Sequence, residues 1–156
     1  MIFVTVGTQK FQMDRLIKAV DALANSRDDE FFVQSGHSGY VPVYCNYAPF
    51  MSEEEINQKM EQCSLLICHA GVGSILLGLK KNTKVIVVPR LKSFGEHVDD
   101  HQIEIAESFA KAGYIRMVTD IAELGKEIDG IREWKPLRFE SNKERFNKML
   151  MKILNE

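Results

Sequence analysis

The sequence predicts an α/β fold in which one doubly wound parallel β-sheet carries helices on both faces, as in Rossmann-like domains. Short apolar runs alternate with amphipathic helical patterns along all 156 residues, and this alternation is typical of such a sheet. The hydrophobic share of 45% is ordinary for a globular protein. Because no repeat, low-complexity tract or linker interrupts the pattern, we expect a single domain over residues 1–156.

The predicted strands are short apolar runs. The first, MIFVTV at residues 1–6, is followed by the loop GTQKFQ. The run VPVYCNY at 41–47 is a weaker candidate, because Pro42 has no backbone N–H and belongs at a strand start or an edge. The remaining predicted strands cover residues 30–35, 64–68, 83–88 and a short run within 114–118.

The helices follow from apolar spacing and from one capping signal. Apolar residues at 16, 17, 20 and 23 lie on one face of a helix over residues 13–25. Ser52 and Glu55 form a capping box that opens a helix ending near Gln62. Further helices are predicted after Gly73, over about 98–112 and over about 141–155.

The C-terminal helix is amphipathic. Its apolar residues at helical spacing are Phe146, Met149, Leu150 and Ile153. Packing onto its own domain is the favoured interpretation, and docking on a partner or a membrane is the alternative.

Composition excludes several classes of protein. The net charge of −2 argues against general nucleic-acid binding, which selects for a basic face. No apolar run approaches a membrane span and no signal peptide precedes the first strand, so we expect a cytoplasmic protein. The three cysteines form no CxxC motif, which disfavours a disulfide framework or a structural zinc site.

The glycine-rich segment HAGVGS at 69–74 predicts an anion site. It joins a buried strand to a helix, and a helix start presents unpaired N–H groups with a partial positive charge. Gly71 and Gly73 let the backbone take a positive φ or approach a ligand, and Ser74 adds a hydroxyl donor. No Walker motif is present. A full GxGxxG motif is also absent, because Leu76 occupies the position of its third glycine. We therefore expect this site to bind a shorter phosphate group than that of a dinucleotide.

The segment GEHVDDHQ at 95–102 follows the fifth strand and should share an edge with GTQ and HAGVGS, because ligands bind at the carboxyl ends of parallel strands. Val98 and Gln102 fall on the predicted sheet-facing side of the helix, where the Gln102 amide needs partners such as ligand hydroxyls. Asp99 suits either a capping or a functional role. His97, His101 and Asp100 have a possible metal spacing, but no third His or Cys stands nearby, so no metal is expected.

Taken together, VTVGTQKFQMDRL, HAGVGS, VPR and GEHVDDHQ resemble the C-terminal, nucleotide-sugar-binding half of family 28 glycosyltransferases, which have the GT-B fold. The likeness spans Met1 to about Tyr114. It is greatest to short stand-alone members, namely the exopolysaccharide or capsule glycosyltransferase subunit and the soluble subunit of the dolichol-linked N-acetylglucosaminyltransferase.

The resemblance implies a UDP-sugar donor and a set of contacts. The diphosphate-binding positions are Gly7, Thr8, Gln9, Gly71, Gly73 and Ser74. The uracil and ribose region is represented by Phe50, Met51 and Glu96. The donor-sugar positions are Asp100, Gln102 and Arg90. The alternatives for Arg90 and Lys92 are to add a positive charge, to pair with the carboxylate of a uronic acid donor, or to be solvated surface. Many relatives hold the ribose with a Glu where this chain has Leu77, and this departure leaves the ribose contact open.

The resemblance also implies what the chain lacks. A complete GT-B enzyme has two such domains, so this chain is expected to be the donor-binding catalytic subunit of an inverting transferase. Its expected partner is a membrane-associated subunit that binds a polyprenyl-linked acceptor and recruits the chain to the cytoplasmic face of the membrane. No cofactor or metal is implied. The catalytic base is His97 or a group of the partner, and His69 is a base or a structural residue that orients the turn. The alternatives are a non-catalytic UDP-sugar-binding activator and an interaction scaffold.

Overall fold

A computed structural model describes residues 1–140 and 144–155 and contains one six-stranded sheet. Every strand pairing is parallel, and the spatial order is β3-β2-β1-β4-β5-β6. The strands are β1 (Ile2–Thr5), β2 (Phe31–Gln34), β3 (Asn46–Ala48), β4 (Leu65–Cys68), β5 (Lys84–Val87) and β6 (Arg116–Met117). This order is that of a doubly wound sheet, and the prediction is confirmed. The weak third strand is an edge strand that starts after Pro42, as the missing N–H of proline requires.

Six α-helices accompany the strands in the described part of the chain. They are α1 (Asp14–Ser26), α2 (Glu53–Gln62), α3 (Val72–Lys80), α4 (His101–Lys111), α5 (Leu124–Gly130) and α6 (Glu144–Leu154). The predicted capping box of α2 is present, with the Ser52 hydroxyl accepting from Glu55 N–H and the Glu55 carboxylate accepting from Ser52 N–H. The predicted start of the last helix, 141–143, lies outside the described residues.

Helix α4 starts three residues later than predicted, and this moves Val98. The Asp99 carboxylate accepts the His101 N–H at 3.0 Å, so the chain turns before His101 and becomes helical only there. The N-cap residue is Asp100, whose side chain makes no capping hydrogen bond, so Asp99 closes the turn just before the helix and does not cap it. Val98 is 64% exposed, and its predicted place on the sheet-facing side is wrong.

Both faces of the sheet are covered by apolar side chains. Along β1 and β4, Val4 and Ile67 point to the core shared with α1 and α5, while Phe3 and Leu66 point to the core shared with α3, α4 and α6. All four side chains are fully buried. Strands buried on both faces have apolar residues at every position, which explains why they are recognisable as continuous apolar runs.

Helix α6 packs on its own domain. Phe146 is buried among three rings, with centroid distances of 6.2 Å to Phe109, 5.5 Å to Tyr114 and 4.7 Å to Phe139. The favoured interpretation of this helix is confirmed. Across residues 1–140 and 144–155, no helix is both long enough and apolar enough to cross a membrane.

Candidate functional site

The candidate site lies at the carboxyl ends of β1, β4 and β5. β1 and β4 are neighbours at the centre of the sheet, and the chain leaves β1 for a helix on one face and β4 for a helix on the other. This reversal of winding opens a crevice where ligands bind in doubly wound folds. The three predicted loops therefore do meet at one edge.

The N-terminus of α3 forms the floor of this crevice. The first helical hydrogen bond runs from Ile75 N–H to Gly71 O at 3.0 Å, and no side chain caps the helix. Within the described residues, the N–H groups of Val72, Gly73 and Ser74 have no hydrogen-bond partner. Gly73 is exposed, and a methyl group placed on it would meet no atom within 4 Å. Free donors with open space above them suit an anion.

The loop after β1 borders the same crevice. Gly7 has a φ of +77°, a left-handed conformation that favours glycine, and its N–H bonds to the Thr5 hydroxyl at 3.2 Å. Thr8 and Gln9 follow with exposed side chains. Their predicted contacts with a diphosphate stay predictions, and they directly follow Gly7, which lies against the His69 ring.

Gly7 and Gly71 lie against the His69 ring from two different loops and make room for it. Gly71 has an ordinary φ of −75°, so of the two reasons considered for a glycine here, close approach and not a positive φ applies. A methyl group on Gly71 would overlap Cε1 of His69 and lie 2.9 Å from Nε2, and one on Gly7 would lie 2.6 Å from Nε2. The imidazole is therefore held between the loop after β1 and the turn after β4.

His69 is buried and neutral at physiological pH. Burial, helped by the nearby positive charge of Arg90, lowers its pKa from 6.5 to about 4. Its Nδ1 lies 3.3 Å from Nε2 of Gln102, and its Nε2 lies 3.4 Å from the Ser74 hydroxyl. Of the two roles considered for His69, these contacts favour the structural one.

Gln102 is also buried, and its amide has protein partners. Its Oε1 accepts the backbone N–H of Ala70 at 3.2 Å and of Arg90 at 2.9 Å, so it joins the ends of β4 and β5. The amide does need partners, as predicted, and the backbone at two neighbouring strand ends supplies those of its oxygen. A direct contact between Gln102 and a donor sugar stays a prediction.

The Arg90 side chain points into the protein. It is fully buried, and its guanidinium donates to the backbone carbonyls of Val6 (2.6 Å), Phe11 (3.0 Å), Gln12 (3.2 Å) and Glu96 (3.1 Å). Its expected role at the donor sugar, or as solvated surface, is therefore wrong. Arg90 instead holds the loops after β1 and β5 together.

The Glu96 carboxylate also makes its contacts inside the protein. Its fully buried carboxylate pairs with Arg15 at 2.9 and 3.1 Å and accepts the Leu91 N–H at 3.0 Å. The expectation that Glu96 holds the ribose is therefore wrong. Leu77 is half-buried and packs against the core around α3, so it offers no polar group in place of the missing Glu.

The loop after β5 carries the remaining predicted residues. The exposed Asp100 accepts the Lys92 N–H at 2.8 Å and so closes this loop. His97 packs against Phe11 with ring centroids 5.3 Å apart, and its Nδ1 lies 3.2 Å from Asp99 Oδ1 without the alignment of a hydrogen bond. His101 pairs with Glu104 at 3.0 Å. Within the described ranges, no three His, Cys, Asp or Glu side chains converge as a metal would require.

Phe50 and Met51 follow the edge strand β3. Phe50 is 51% exposed and contacts His37 edge-on at 5.0 Å, and Met51 is half-buried. Gln34, which sequence reasoning missed, donates its amide to Gly7 O at 3.1 Å and Pro49 O at 2.7 Å. This side chain ties the Phe50 segment to the loop after β1. A polar residue at the end of a buried strand was the signal that could have found it.

Comparison with known proteins identifies the same family that the sequence motifs resemble. A family model described as "Glycosyltransferase family 28 C-terminal domain" matches residues 1–155. The chain is similar to the UDP-N-acetylglucosamine transferase subunit ALG13 of Candida albicans (36% identity over 90 residues) and of Homo sapiens (30% over 125 residues). These matches cover 58% and 73% of this chain but only 29% and 10% of those proteins. The chain thus spans less than a third of the length of either relative.

Solved structures share the fold. The NMR structure of ALG13 matches with a TM-score of 0.61 at 18% identity, over 96% of this chain and 93% of that one. The crystal structure of Acinetobacter baumannii MurG matches with a TM-score of 0.58 at 16% identity, over 83% of this chain and 40% of that one. The sheet thus corresponds to the C-terminal half of a GT-B glycosyltransferase, as the sequence predicts. Together with the match over residues 1–155, this shows that the chain belongs to the glycosyltransferase family 28 C-terminal domain family.

Proposed function

We propose that this chain binds the UDP moiety of a nucleotide-sugar donor at the carboxyl edge of its sheet and is the donor-binding catalytic subunit of a glycosyltransferase. The observation that carries the proposal is the uncapped start of α3, where the N–H groups of Val72, Gly73 and Ser74 are free and Gly73 faces open space. A diphosphate provides the charge and the acceptors that such a site prefers. The neighbouring Gly7 loop would close over it.

UDP-N-acetylglucosamine is the donor that we propose. Two relatives of this chain are named UDP-N-acetylglucosamine transferase subunits, which supports that choice. The exposed Phe50 ring would frame the uracil, and its attachment to the site through Gln34 supports this placement. With Arg90 and Gln102 buried, the exposed Asp100 is the best remaining candidate for the donor sugar.

The proposed reaction inverts the anomeric carbon. An acceptor hydroxyl oxygen bonds to C1 of the sugar, the bond from C1 to the β-phosphate oxygen breaks, and UDP leaves with that electron pair. The acceptor proton passes to a base, which is His97 or a group on the partner. Negative charge grows on the leaving diphosphate, so the free N–H groups of α3 stabilise the transition state more than the ground state. Neither a metal nor a cofactor is part of this proposal.

We further propose that the chain works in polysaccharide biosynthesis with a partner. The relatives' names describe a subunit, which supports a second protein in the transfer reaction. The proposed partner is membrane-associated, presents a polyprenyl-linked acceptor and recruits this chain to the cytoplasmic face of the membrane.

A non-catalytic role is the second candidate. The missing carboxylate at Leu77 and the buried state of Glu96 favour its scaffold form, because the chain then lacks an obvious ribose contact. A UDP-sugar-binding activator would bind the donor, yet its partner alone would show some transfer. A scaffold would bind no nucleotide.

Isothermal titration of the chain with UDP and UDP-N-acetylglucosamine, with and without EDTA, tests the proposal. We expect saturable binding that EDTA leaves unchanged and that Gly73→Val weakens at least tenfold, because the valine occupies the space above the helix start. Gly130→Val is the matched control, since Gly130 also faces open space but ends α5. Absence of binding at millimolar ligand, or equal losses in both variants, would refute the donor site.

A further inference from the structure

A chain of hydrogen bonds runs from the backbone of β4 and β5 to the start of α3. We propose that Gln102 and His69 are positioning residues that fix the Ser74 hydroxyl as a hydrogen-bond donor to the anionic ligand. The inference rests on the proposed function, because the ligand in question is the diphosphate of UDP.

The orientation of the Gln102 amide follows from its backbone partners. One terminal atom of this side chain lies 3.2 Å from Ala70 N and 2.9 Å from Arg90 N. Backbone N–H groups only donate, so that atom is the carbonyl oxygen. The NH₂ group therefore faces His69, with Nε2 of Gln102 3.3 Å from Nδ1 of the ring.

The tautomer of His69 follows from the orientation of that amide. An amide nitrogen donates and does not accept, so Nδ1 of His69 must be the unprotonated nitrogen. The proton of the neutral imidazole is then on Nε2, which lies 3.4 Å from the Ser74 hydroxyl. Burial of the ring opposes a second proton.

The ring donates to Ser74, and this sets the direction of the hydroxyl. Ser74 Oγ accepts from Nε2 of His69, so its own hydrogen points elsewhere. Ser74 lies in the first turn of α3, where the neighbouring N–H groups of Val72 and Gly73 are also free in the described part of the chain. Donors grouped in this way favour an anion over a cation.

The packing of the ring supports this role independently of the hydrogen bonds. A methyl group on Gly7 or Gly71 would come within 2.9 Å of Nε2, so the two glycines enclose the imidazole from two loops. Because the ring cannot shift without moving one of these loops, the position of its Nε2 relative to Ser74 is fixed.

The first test measures the tautomer in the wild-type chain without ligand. Long-range ¹H–¹⁵N correlation of the ring nitrogens at pH 7 should show His69 protonated on Nε2 alone. A proton on Nδ1, in either the other neutral tautomer or the imidazolium, would overturn the inference whatever the chain binds.

The second test is a double-mutant cycle on UDP affinity. We expect Ser74→Ala to weaken UDP binding about tenfold in the wild type, the size expected for one hydrogen bond to a charged group. In a His69→Phe background, which keeps a ring between the glycines but removes its donor, the same change should cost less than twofold. His101→Phe, on the exposed start of α4, is the control background and should retain the tenfold loss.

The outcomes separate this inference from the proposed function. Equal losses from Ser74→Ala in the wild-type and His69→Phe backgrounds would refute the positioning role while leaving UDP binding intact. A wild-type chain that binds no UDP would refute the proposed function and the ligand part of the inference, and the ¹⁵N spectrum would still decide the hydrogen-bond chain.

Discussion

The two glycines of the GVG sequence should respond to alanine with opposite changes in stability. In Gly71→Ala the new methyl overlaps the His69 ring, which is buried, hydrogen-bonded at both nitrogens and flanked by Gly7. Overpacking of this kind costs about 1–3 kcal/mol. In Gly73→Ala the methyl meets no atom within 4 Å, and the greater helix propensity of alanine should stabilise α3 by about 0.5–1 kcal/mol.

Thermal unfolding followed by circular dichroism measures both changes. For a chain of this size, 1 kcal/mol corresponds to about 2–4 °C in Tm. We therefore expect Gly71→Ala to lower Tm by roughly 2–12 °C and Gly73→Ala to raise it by roughly 1–4 °C. A neutral Gly71→Ala variant, or similar losses in both variants, would refute the account in which the first glycine accommodates His69 and the second faces open space.

Three further predictions concern the buried polar groups and the last helix. Arg90→Met should destabilise the chain by about 3–5 kcal/mol in urea unfolding, because four backbone carbonyls lose their donor and the Glu96 carboxylate loses a nearby positive charge. Arg90→Lys should cost less. Burial alone would raise the pKa of Asp21, but donors from Val43, Tyr40 and Tyr44 hold it below 3.8. The stability advantage of wild type over Asp21→Asn should therefore be full at pH 7 and shrink as the pH falls below about 4, and a constant difference would contradict this. Phe146→Ala should cost about 3–5 kcal/mol in the same urea assay, whereas Met151→Ala, at an exposed position of α6, should change stability by less than about 0.5 kcal/mol.

The fold was predictable because the signals that define it are local. Strands buried on both faces have uninterrupted apolar runs, and the Ser52 capping box marks the start of α2 within four residues. Helix α5 was missed because its seven residues include two glycines and bury only Leu124 and Ile128. Such a segment lacks the periodicity on which the prediction depends.

The site was predictable in location but not in the roles of its side chains. Strand order brings the loops together, so the position of Gly73 and Ser74 at this edge could be predicted from the sequence. Arg90 could not, because its partners Phe11 and Gln12 stand 79 and 78 residues away along the chain. The Gly71 contact with His69 was equally hidden, since only the folded turn shows which face the ring takes.

The most direct test of the central claim is to map UDP binding on the ¹⁵N-labelled chain by amide chemical shifts. The account predicts saturable shifts at Val72, Gly73 and Ser74, with weaker ones at Gly7 and Thr8. A cavity of about 820 Å³ at the opposite edge of the sheet, near Lys81 and Thr83, should show none. Shifts centred on that cavity, or no saturable shifts at millimolar UDP, would contradict a donor site at the start of α3.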